Sequence, residues 1–304
     1  MTLHRTFVRS PFFYVGDKFK LMPQLSRLFP KYISTYVEPF VGGGSSFLNT
    51  KADSYVVNDL NPHVIGLHKY LSSYAGKSDE LFDLLFSVID KYGFSCSYKN
   101  IDVPDYLKHQ YVKTYYAHYN KDAYLRLRAD FNESDDFILL YILLIYGFNH
   151  MLRFNSSGVF NLPVGNVDFN KNVFVALNNY LEFMSCNHVV FFNMDYFDFL
   201  ACIDLDNDSF VYFDPPYLIS DSEYNKFWDI DDDRILCSCL DSLNRKGIRF
   251  GITNLIHHKG KFNHDFYEWS KKYSIYTLDS NYISFNDNTV KKNSVEVYVT
   301  NYVQ

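Results

Sequence analysis

The sequence predicts an α/β fold built on an open, mostly parallel sheet. A short strand within residues 36–44 runs into three successive glycines, and a second strand at 55–59 ends in the acidic residue Asp59. A glycine-rich turn followed by an acid at the end of the next strand is typical of a nucleotide-binding half-sheet. A third strand, at 210–213, consists entirely of apolar and aromatic residues, as expected for a strand buried on both faces.

The stretch 210–217 combines this strand with a rigid turn. We expect the strand to stop at Asp214, because Pro215 and Pro216 supply no backbone donor and cannot continue a ladder. Ligands of open α/β sheets bind at the carboxyl ends of strands. The turn there suits the amino group of a planar heterocycle: Asp214 accepts one N–H, the Pro215 carbonyl accepts the other, and Tyr217 stacks on the ring. A strand that simply ends in a proline turn is the alternative.

The glycine-rich turn is a second candidate ligand site. Its glycines allow close approach of the backbone to a ligand, and we expect a helix to begin at Ser45. The turn lacks the Gly-Lys-Ser/Thr ending of a phosphate-binding P-loop, so a nucleoside triphosphate is not favoured. Asp59 can hold the two hydroxyls of a ribose. Gly16 and Lys18, just before another predicted helix, can receive a carboxylate. Each feature alone also fits a loop without a ligand.

The region 70–182 is predicted to be a mostly helical insertion, since strand signals become sparse there. Residues 80–89 form an amphipathic pattern and residues 136–146 a buried one. Within the insertion, two short extended runs flank the turn at 155–158, which predicts a β-hairpin. Its Arg and Asn side chains are donors of the kind that reach base edges and phosphates. A surface hairpin without a nucleic-acid role is the alternative.

The α/β pattern returns after the insertion. One strand ends near Asp195 and Tyr196, where a carboxylate and a ring can meet a purine. His257 and His258 are interpreted as loop residues, because adjacent side chains do not converge on a metal and no third ligand is evident. The predicted strands are 189–193, 248–253 and 294–300.

Composition restricts the class of protein. The 304 residues carry a net charge of −6, which is the wrong sign for a strongly cationic nucleic-acid binder but is compatible with a local basic cleft. The five cysteines lack zinc-knuckle spacing, so we expect reduced thiols, no metal and a cytoplasmic location. The longest apolar run, residues 137–148, is too short to span a bilayer.

The motifs in their order resemble a known family. Residues 38–44 (Glu-Pro-Phe-Val-Gly-Gly-Gly) followed by 214–217 (Asp-Pro-Pro-Tyr) resemble S-adenosylmethionine-dependent DNA adenine-N6 methyltransferases of the Dam-like D12 class, alpha group. The resemblance runs nearly end to end. It implies a Rossmann-like methyltransferase sheet formed by 1–69 and 183–304, with 70–182 as a target-recognition insertion that carries the hairpin.

The resemblance also implies roles for individual residues. It implies a catalytic role for Asp214, Pro215, Pro216 and Tyr217. The implied cofactor-binding residues are Tyr14, Gly16, Lys18, Glu38, Pro39, Phe40, Gly42, Gly44, Asp59, Asp195 and Tyr196. The implied DNA-binding residues are Arg153, Asn155, Ser156 and Asn161.

The implied reaction is direct methyl transfer to the N6 amine of an adenine that is flipped out of duplex DNA, with no metal and no covalent intermediate. The segment 14–18 departs at two positions from the family pattern, which is usually Trp-x-Gly-Gly-Lys. Here the residues are Tyr14-Val-Gly-Asp-Lys18, and Asp17 adds a negative charge beside the expected site of the methionine carboxylate. We therefore expect weaker cofactor affinity at this position.

Other functions stay open on the sequence alone. The Asp-Pro-Pro-Tyr motif is shared with cytosine-N4 and some RNA methyltransferases, and a DNA-binding homologue without catalysis is a third hypothesis. The expected partner is double-stranded DNA in a prokaryotic cell or a phage-infected host. A monomer is compatible with the sequence, as is a cognate restriction endonuclease that acts separately. The recognition sequence cannot be read from the chain.

Overall fold

The computed structural model describes residues 6–220, 228–280 and 294–303. The chain divides into two compact units. The first unit comprises Met1–Phe19, Gly42–Leu48 and Asn61–Asn187, and the second comprises Lys20–Val41, Asn49–Leu60 and His188–Gln304. The range 70–182, expected to form the insertion, lies wholly within the first unit, which also takes in shorter segments from the N-terminal part of the chain.

The strands all belong to the second unit. They are β1 (Thr35–Glu38), β2 (Ser54–Asn58), β3 (Val189–Phe192), β4 (Phe210–Phe213), β5 (Arg249–His258), β6 (Lys261–Phe262), β7 (Ser274–Leu278) and β8 (Ser294–Thr300). Their spatial order is β3-β2-β1-β4-β5-β8-β7, and β6 pairs with β5. The pairs from β3 to β5 are parallel, whereas β8 runs antiparallel to both of its neighbours. The expected α/β fold with a mostly parallel sheet is confirmed.

Helices build most of the first unit. The other helices belong to the second unit, where they precede or connect the strands in sequence. They are α1 (Met22–Leu28), α2 (Pro62–Ser72), α3 (Ser78–Tyr92), α4 (Asp105–Gln110), α5 (Tyr115–Ser134), α6 (Phe137–Tyr146), α7 (Lys171–Cys186), α8 (Tyr196–Cys202), α9 (Ile230–Arg245) and α10 (His264–Ser270). In the first unit, α6 is the apolar centre: Leu140 and Leu143 are fully buried, and Asp136 caps its N-terminus by accepting from the Ile138 N–H at 3.0 Å. The helical character expected for this region is confirmed.

The core of the second unit explains why β4 is apolar throughout. All four β4 residues are buried, because β1 and β5 flank the strand and side chains cover both of its faces. Val211 and Phe213 pack on one face with Leu240 of α9 and Trp269 of α10. The opposite face carries Tyr212, whose hydroxyl lies 3.0 Å from Thr253 Oγ1 on β5.

Three local expectations are corrected. The helix expected at Ser45 is wrong: only a single 3₁₀ turn, Phe47–Asn49, forms before β2, because residues 39–53 must return the chain to the start of a parallel strand. His257 and His258 are not loop residues but end β5, where β6 and β8 extend the ladder. The expected hairpin forms as a short antiparallel turn and not as a pair of strands: Phe154 bridges Phe160, and the Asn155 and Asn161 N–H groups donate to the Val159 and Arg153 carbonyls.

Two glycines, Gly147 and Gly165, lie where the two ends of the segment that carries the turn at 155–158 come together. Gly147 bridges Val164, and the Gly165 N–H donates to the Tyr146 carbonyl at 2.7 Å. A side chain at Gly165 would place its Cβ 2.6 Å from the Gly147 carbonyl oxygen. Since that obstacle is backbone, it cannot move aside as a flexible side chain would.

Gly165→Ala should therefore destabilise the protein, by about 1–3 kcal/mol, through overpacking at this backbone crossing. Urea unfolding followed by circular dichroism measures the change. Ser156→Ala, on the exposed tip of the same segment, is the matched control and should shift stability by less than about 0.5 kcal/mol. Equal stability of the two variants would contradict the close approach at Gly165.

Candidate functional site

The parallel strands bring four acidic residues expected from the sequence to one edge of the second unit's sheet. Glu38 is the last residue of β1, Asp59 follows β2, Asp195 follows β3 by three residues, and Asp214 directly follows β4. Carboxyl ends of parallel strands point to the same edge, which is the usual ligand-binding edge of an open α/β sheet. Glu38 is only 2% exposed, whereas Asp195 lies at the surface.

Asn58, at the end of β2, ties this edge together. Its buried amide donates to the Pro39 carbonyl at 3.0 Å and to the Met194 carbonyl at 2.9 Å, and its side-chain oxygen accepts from the Met194 N–H at 3.1 Å. Its own carbonyl accepts from the Val41 N–H at 2.8 Å. One side chain thus fixes the segments that follow β1 and β3, which hold most of the residues expected to bind a cofactor in this unit.

The corner after β4 presents its carboxylate in a defined orientation. Asp214 Oδ1 lies 3.1 Å from the Thr253 hydroxyl and 3.1 Å from the Tyr217 hydroxyl. The Tyr217 hydroxyl also donates to Glu296 Oε1 at 2.8 Å. Pro215 is buried and Pro216 is half-buried, so the turn is anchored as well as stiff. The corner therefore holds one carboxylate in place while its partners are themselves buried.

An aromatic cluster lies at the same edge. The Phe40 ring is 5.1 Å from Tyr196 and 5.8 Å from Trp228, measured between centroids, and Tyr196 and Trp228 are 6.1 Å apart. Trp228 is held by its indole N–H, which donates to Asp233 at 2.7 Å. Asp195 accepts from the Phe197 N–H at 2.8 Å and so caps α8. The cluster offers apolar ring faces suited to a planar heterocycle.

The remaining residues expected to bind a cofactor lie in the first unit, around the glycine turn. Tyr14 packs against the turn, where a Cβ on Gly43 would be 2.8 Å from Tyr14 Cβ. Gly44 has φ +79°, and a Cβ there would be 2.3 Å from the Phe47 ring. Glycine is required at these positions, because any side chain would collide with the ring packed on the turn.

His68 hydrogen-bonds to the glycine turn, a contact that the sequence did not predict. Its Nε2 lies 2.9 Å from the Gly42 carbonyl, and its Nδ1 lies 3.0 Å from the Tyr180 hydroxyl. Complete burial lowers the pKa of His68 to about 4, so the ring is neutral at physiological pH. A neutral imidazole has one N–H to donate, to the Gly42 carbonyl, and one nitrogen to accept the Tyr180 hydroxyl proton.

The segment 14–18 carries a buried base and an acid. Lys18 is 8% exposed, and its ammonium donates to the Gly16 carbonyl at 3.3 Å. Asp17 Oδ1 accepts from the Phe19 N–H at 3.0 Å, and its Oδ2 is buried. Burial raises the pKa of Asp17, and the nearby charges of Arg9 and Lys18 only partly oppose this. Burial therefore destabilises the ionised form of Asp17, the residue that adds a charge to the family pattern.

The residues expected to bind DNA form a self-contained turn. Arg153 donates to the side chain of Asn161 at 2.9 Å and to its carbonyl at 2.8 Å. Asn155 Oδ1 accepts from the Ser157 and Val159 N–H groups, at 3.0 and 2.9 Å, and Ser156 is exposed. The turn is thereby folded by the same polar groups that the sequence suggests for DNA.

The turn is also docked within its own unit. Phe154 stacks on His63 of α2 with ring centroids 3.9 Å apart and planes 11° from parallel. Asn132 of α5 donates to the Phe160 carbonyl at 3.1 Å and accepts from its N–H at 2.9 Å. These contacts give an exposed segment a fixed orientation.

Asn58, His68, Thr253, Trp228 and Glu296 were not identified from the sequence. Each acts through a partner distant in the chain, and none belongs to a local motif. Among the segments that carry these residues, the end of β8 gave a signal in the sequence. Polar and apolar side chains alternate over residues 294–300, and the last of these belong to the stretch that resembles the family.

The described residues contain neither a candidate metal-binding cluster nor a helix able to cross a membrane. Within residues 6–220, 228–280 and 294–303, no group of three or more His, Cys, Asp or Glu side chains is placed to hold a metal ion. Over the same ranges, no helix has the length and apolar character that crossing a membrane requires.

Comparison with known proteins supports the family resemblance. A model of the D12 class N6 adenine-specific DNA methyltransferases matches residues 14–283. The modification methylase StsI of Streptococcus sanguinis is 32% identical over 98% of this chain, and the type II methyltransferase M.FokI of Planomicrobium okeanokoites is 31% identical over 98%. The chain spans only 43% and 44% of the length of these two proteins. A DNA adenine methylase of Haemophilus influenzae is 27% identical over 88% of this chain and 84% of its own length.

Asp17→Asn tests whether the buried charge of Asp17 destabilises the segment 14–18. Because burial raises the folded pKa of Asp17, stability is lost as pH rises above the ordinary value of 3.8 and through the folded value. Asparagine keeps the acceptor for the Phe19 N–H without the charge. We expect Asp17→Asn to be more stable than the wild type at neutral pH, with the difference shrinking towards pH 4, in thermal unfolding scans.

Asp206→Asn is the control with the opposite sign. Hydrogen bonds from Ser209 and Ser34 lower the pKa of Asp206, so its charge stabilises the fold at neutral pH. This variant should be less stable than the wild type there. If Asp17→Asn changed stability by the same amount at every pH, a buried ionised Asp17 would be ruled out.

Proposed function

Because this chain belongs to the D12 class N6 adenine-specific DNA methyltransferase family, we propose that it transfers a methyl group from S-adenosylmethionine to the N6 amino group of adenine in duplex DNA. The observation that carries the proposal is the corner after β4. There the carboxylate of Asp214 stands at the end of the central parallel strand, with its Oδ1 3.1 Å from the hydroxyls of both Thr253 and Tyr217.

S-adenosylmethionine fits the chemistry of the residues proposed to bind it. In the first unit, Tyr14, Gly16, Lys18, Gly42 and Gly44 combine an ammonium with a glycine turn, in which a side chain at Gly44 would collide with the Phe47 ring. In the second unit, the acids and rings at the strand ends suit ribose hydroxyls and an adenine. Those residues are Glu38, Pro39, Phe40, Asp59, Asp195 and Tyr196. When bound, S-adenosylmethionine supplies a methyl group made electrophilic by its sulfonium.

The chain's own contribution is to hold the target amine. Asp214 and the Pro215 carbonyl would each accept an N6 hydrogen, which draws the amine towards tetrahedral geometry and frees its lone pair. Pro216 keeps the corner rigid, and the Tyr217 ring would pack against the flipped base. Fixed positioning of this kind can be worth roughly 7–11 kcal/mol of the barrier. No group of the protein needs to form a covalent bond.

The region 70–182 is proposed to recognise DNA, with Arg153, Asn155, Ser156 and Asn161 at its exposed turn. This assignment rests on the side-chain chemistry of an exposed, rigidly docked turn. The catalytic role would belong to 1–69 and 183–304. We propose action in the cytoplasm on double-stranded DNA, as a modification enzyme whose cognate restriction endonuclease acts separately.

Asp214→Ala should reduce methyl transfer by about 10²–10³-fold or more, because the amine loses its charged acceptor. Transfer of tritiated methyl from S-adenosylmethionine to plasmid DNA measures the rate, and DNA binding should be largely unchanged. Asp204→Ala, an exposed acid in the loop before β4, is the matched control and should keep wild-type turnover. Wild-type turnover in Asp214→Ala would remove this residue from the mechanism.

The product identifies the reaction. Mass spectrometry of digested product should find N6-methyladenine. N4-methylcytosine, or transfer to RNA alone, would assign the chain to another base despite its family. Long-read sequencing of DNA from cells that express the protein would give the recognised site.

Arg153→Ala should weaken binding to a duplex that carries that site by 5- to 150-fold, the range for loss of about 1–3 kcal/mol from a base contact. A uniform loss on all sequences would instead indicate a phosphate contact. Lys69→Ala, an exposed cation on α2, controls for charge alone. Fluorescence anisotropy at fixed salt measures both variants, since affinity depends steeply on ionic strength.

A further inference from the structure

A buried carboxylate on β8 contacts the proposed catalytic corner. Glu296 is 1% exposed, and its Oε1 accepts the Tyr217 hydroxyl at 2.8 Å. It lies opposite Leu255 in the pairing of β8 with β5. Burial of a charged group is costly, so a carboxylate at such a position needs a purpose beyond filling space.

The contact belongs to a continuous series of hydrogen-bonding groups within the second unit. The Tyr212 hydroxyl lies 3.0 Å from Thr253 Oγ1, and Thr253 Oγ1 lies 3.1 Å from Asp214 Oδ1. Asp214 Oδ1 lies 3.1 Å from the Tyr217 hydroxyl, which reaches Glu296 at 2.8 Å. Four of these five side chains, all except Asp214, are at least nine-tenths buried.

The number of available protons determines which group donates and which accepts along this series. The Tyr217 hydroxyl has one proton, yet it lies within hydrogen-bond distance of two carboxylate oxygens. The Tyr217 hydroxyl lies closer to Glu296 Oε1, at 2.8 Å, than to Asp214 Oδ1, at 3.1 Å, so we assign its proton to the contact with Glu296. The Thr253 hydroxyl can then donate to Asp214 while it accepts the proton of Tyr212.

We propose that Glu296 is a positioning residue for methyl transfer, which takes the proton of Tyr217 and so leaves Asp214 as a strong acceptor for the target amine. The inference rests on the proposed function of Asp214. Glu296 also anchors the Tyr217 ring at its hydroxyl end. In this scheme Glu296 contacts neither base nor cofactor and acts on the reaction through Tyr217.

Loss of Glu296 as a charged acceptor has a defined consequence. The Tyr217 proton then turns to Asp214 Oδ1, the other carboxylate oxygen within reach. An Asp214 that already accepts from both Thr253 and Tyr217 is a weaker acceptor for the amine. A purely structural Glu296 would instead affect folding without regard to Tyr217.

A double-mutant cycle separates these two roles. The variants are Glu296→Gln, Tyr217→Phe and the pair together, each assayed for kcat, DNA affinity and thermal unfolding. Glu296→Gln keeps the size and an acceptor oxygen, but its neutral amide competes poorly with Asp214 for the proton. Thr300→Val on the same strand is the matched control, since Thr300 is equally buried and donates one hydrogen bond, to the Phe250 carbonyl at 2.6 Å.

We expect Glu296→Gln to lower kcat about tenfold with unchanged affinity for DNA. A hydrogen bond to a charged group is stronger than one to a neutral group by an energy that corresponds to about this change in rate, roughly 1.4 kcal/mol. In the Tyr217→Phe background the same substitution should change kcat by less than about twofold. Thr300→Val should leave kcat as in the wild type.

Two results would overturn the inference: unchanged kcat in Glu296→Gln, or an equal loss of kcat with and without the Tyr217 hydroxyl. An inactive wild-type protein would instead overturn the proposed function, and the inference with it. The wild-type assay and the cycle therefore report the two failures separately.

Discussion

The parallel alignment of β3, β2, β1, β4 and β5 is the constraint on which the candidate site depends. Parallel strands end at one edge of a sheet, so residues far apart in the chain, such as Glu38 and Asp214, share that edge without any local contact. Asn58 fixes the segments that follow β1 and β3 relative to each other, because its amide hydrogen-bonds to the backbone of both. Antiparallel β8 adds a residue that no parallel strand supplies, Glu296.

The parts of this arrangement that the sequence predicted are those encoded locally. The apolar run of β4 needs burial on both faces, and the two prolines after Asp214 stop any strand regardless of context. The alternation of β8 is likewise visible without a partner. The burial of residues 137–146 followed from their lack of a polar face, and the structure confirms it.

The parts that the sequence missed depend on partners chosen by tertiary structure. The glycine turn suggested a helix at Ser45, but the path back to β2 overrides local preference. His257 and His258 look like loop residues until β6 and β8 pair with them. Trp228 is an isolated tryptophan in sequence, and only folding sets it beside Phe40. No periodicity reports such contacts, because they join segments whose separation in the chain is arbitrary.

The hydrogen bonds of the exposed turn would limit the base contacts that it could make in its proposed role of recognising DNA. Asparagine reads adenine by using its amide oxygen and nitrogen together. The oxygen of Asn155 is already committed to the Ser157 and Val159 N–H groups, so only its donor nitrogen is available while the turn stays folded. Arg153 uses two of its five N–H groups on Asn161, which leaves donors for guanine or phosphate. As folded, the turn therefore favours acceptor-rich base edges, and a bidentate contact with adenine would require Asn155 to release its own backbone.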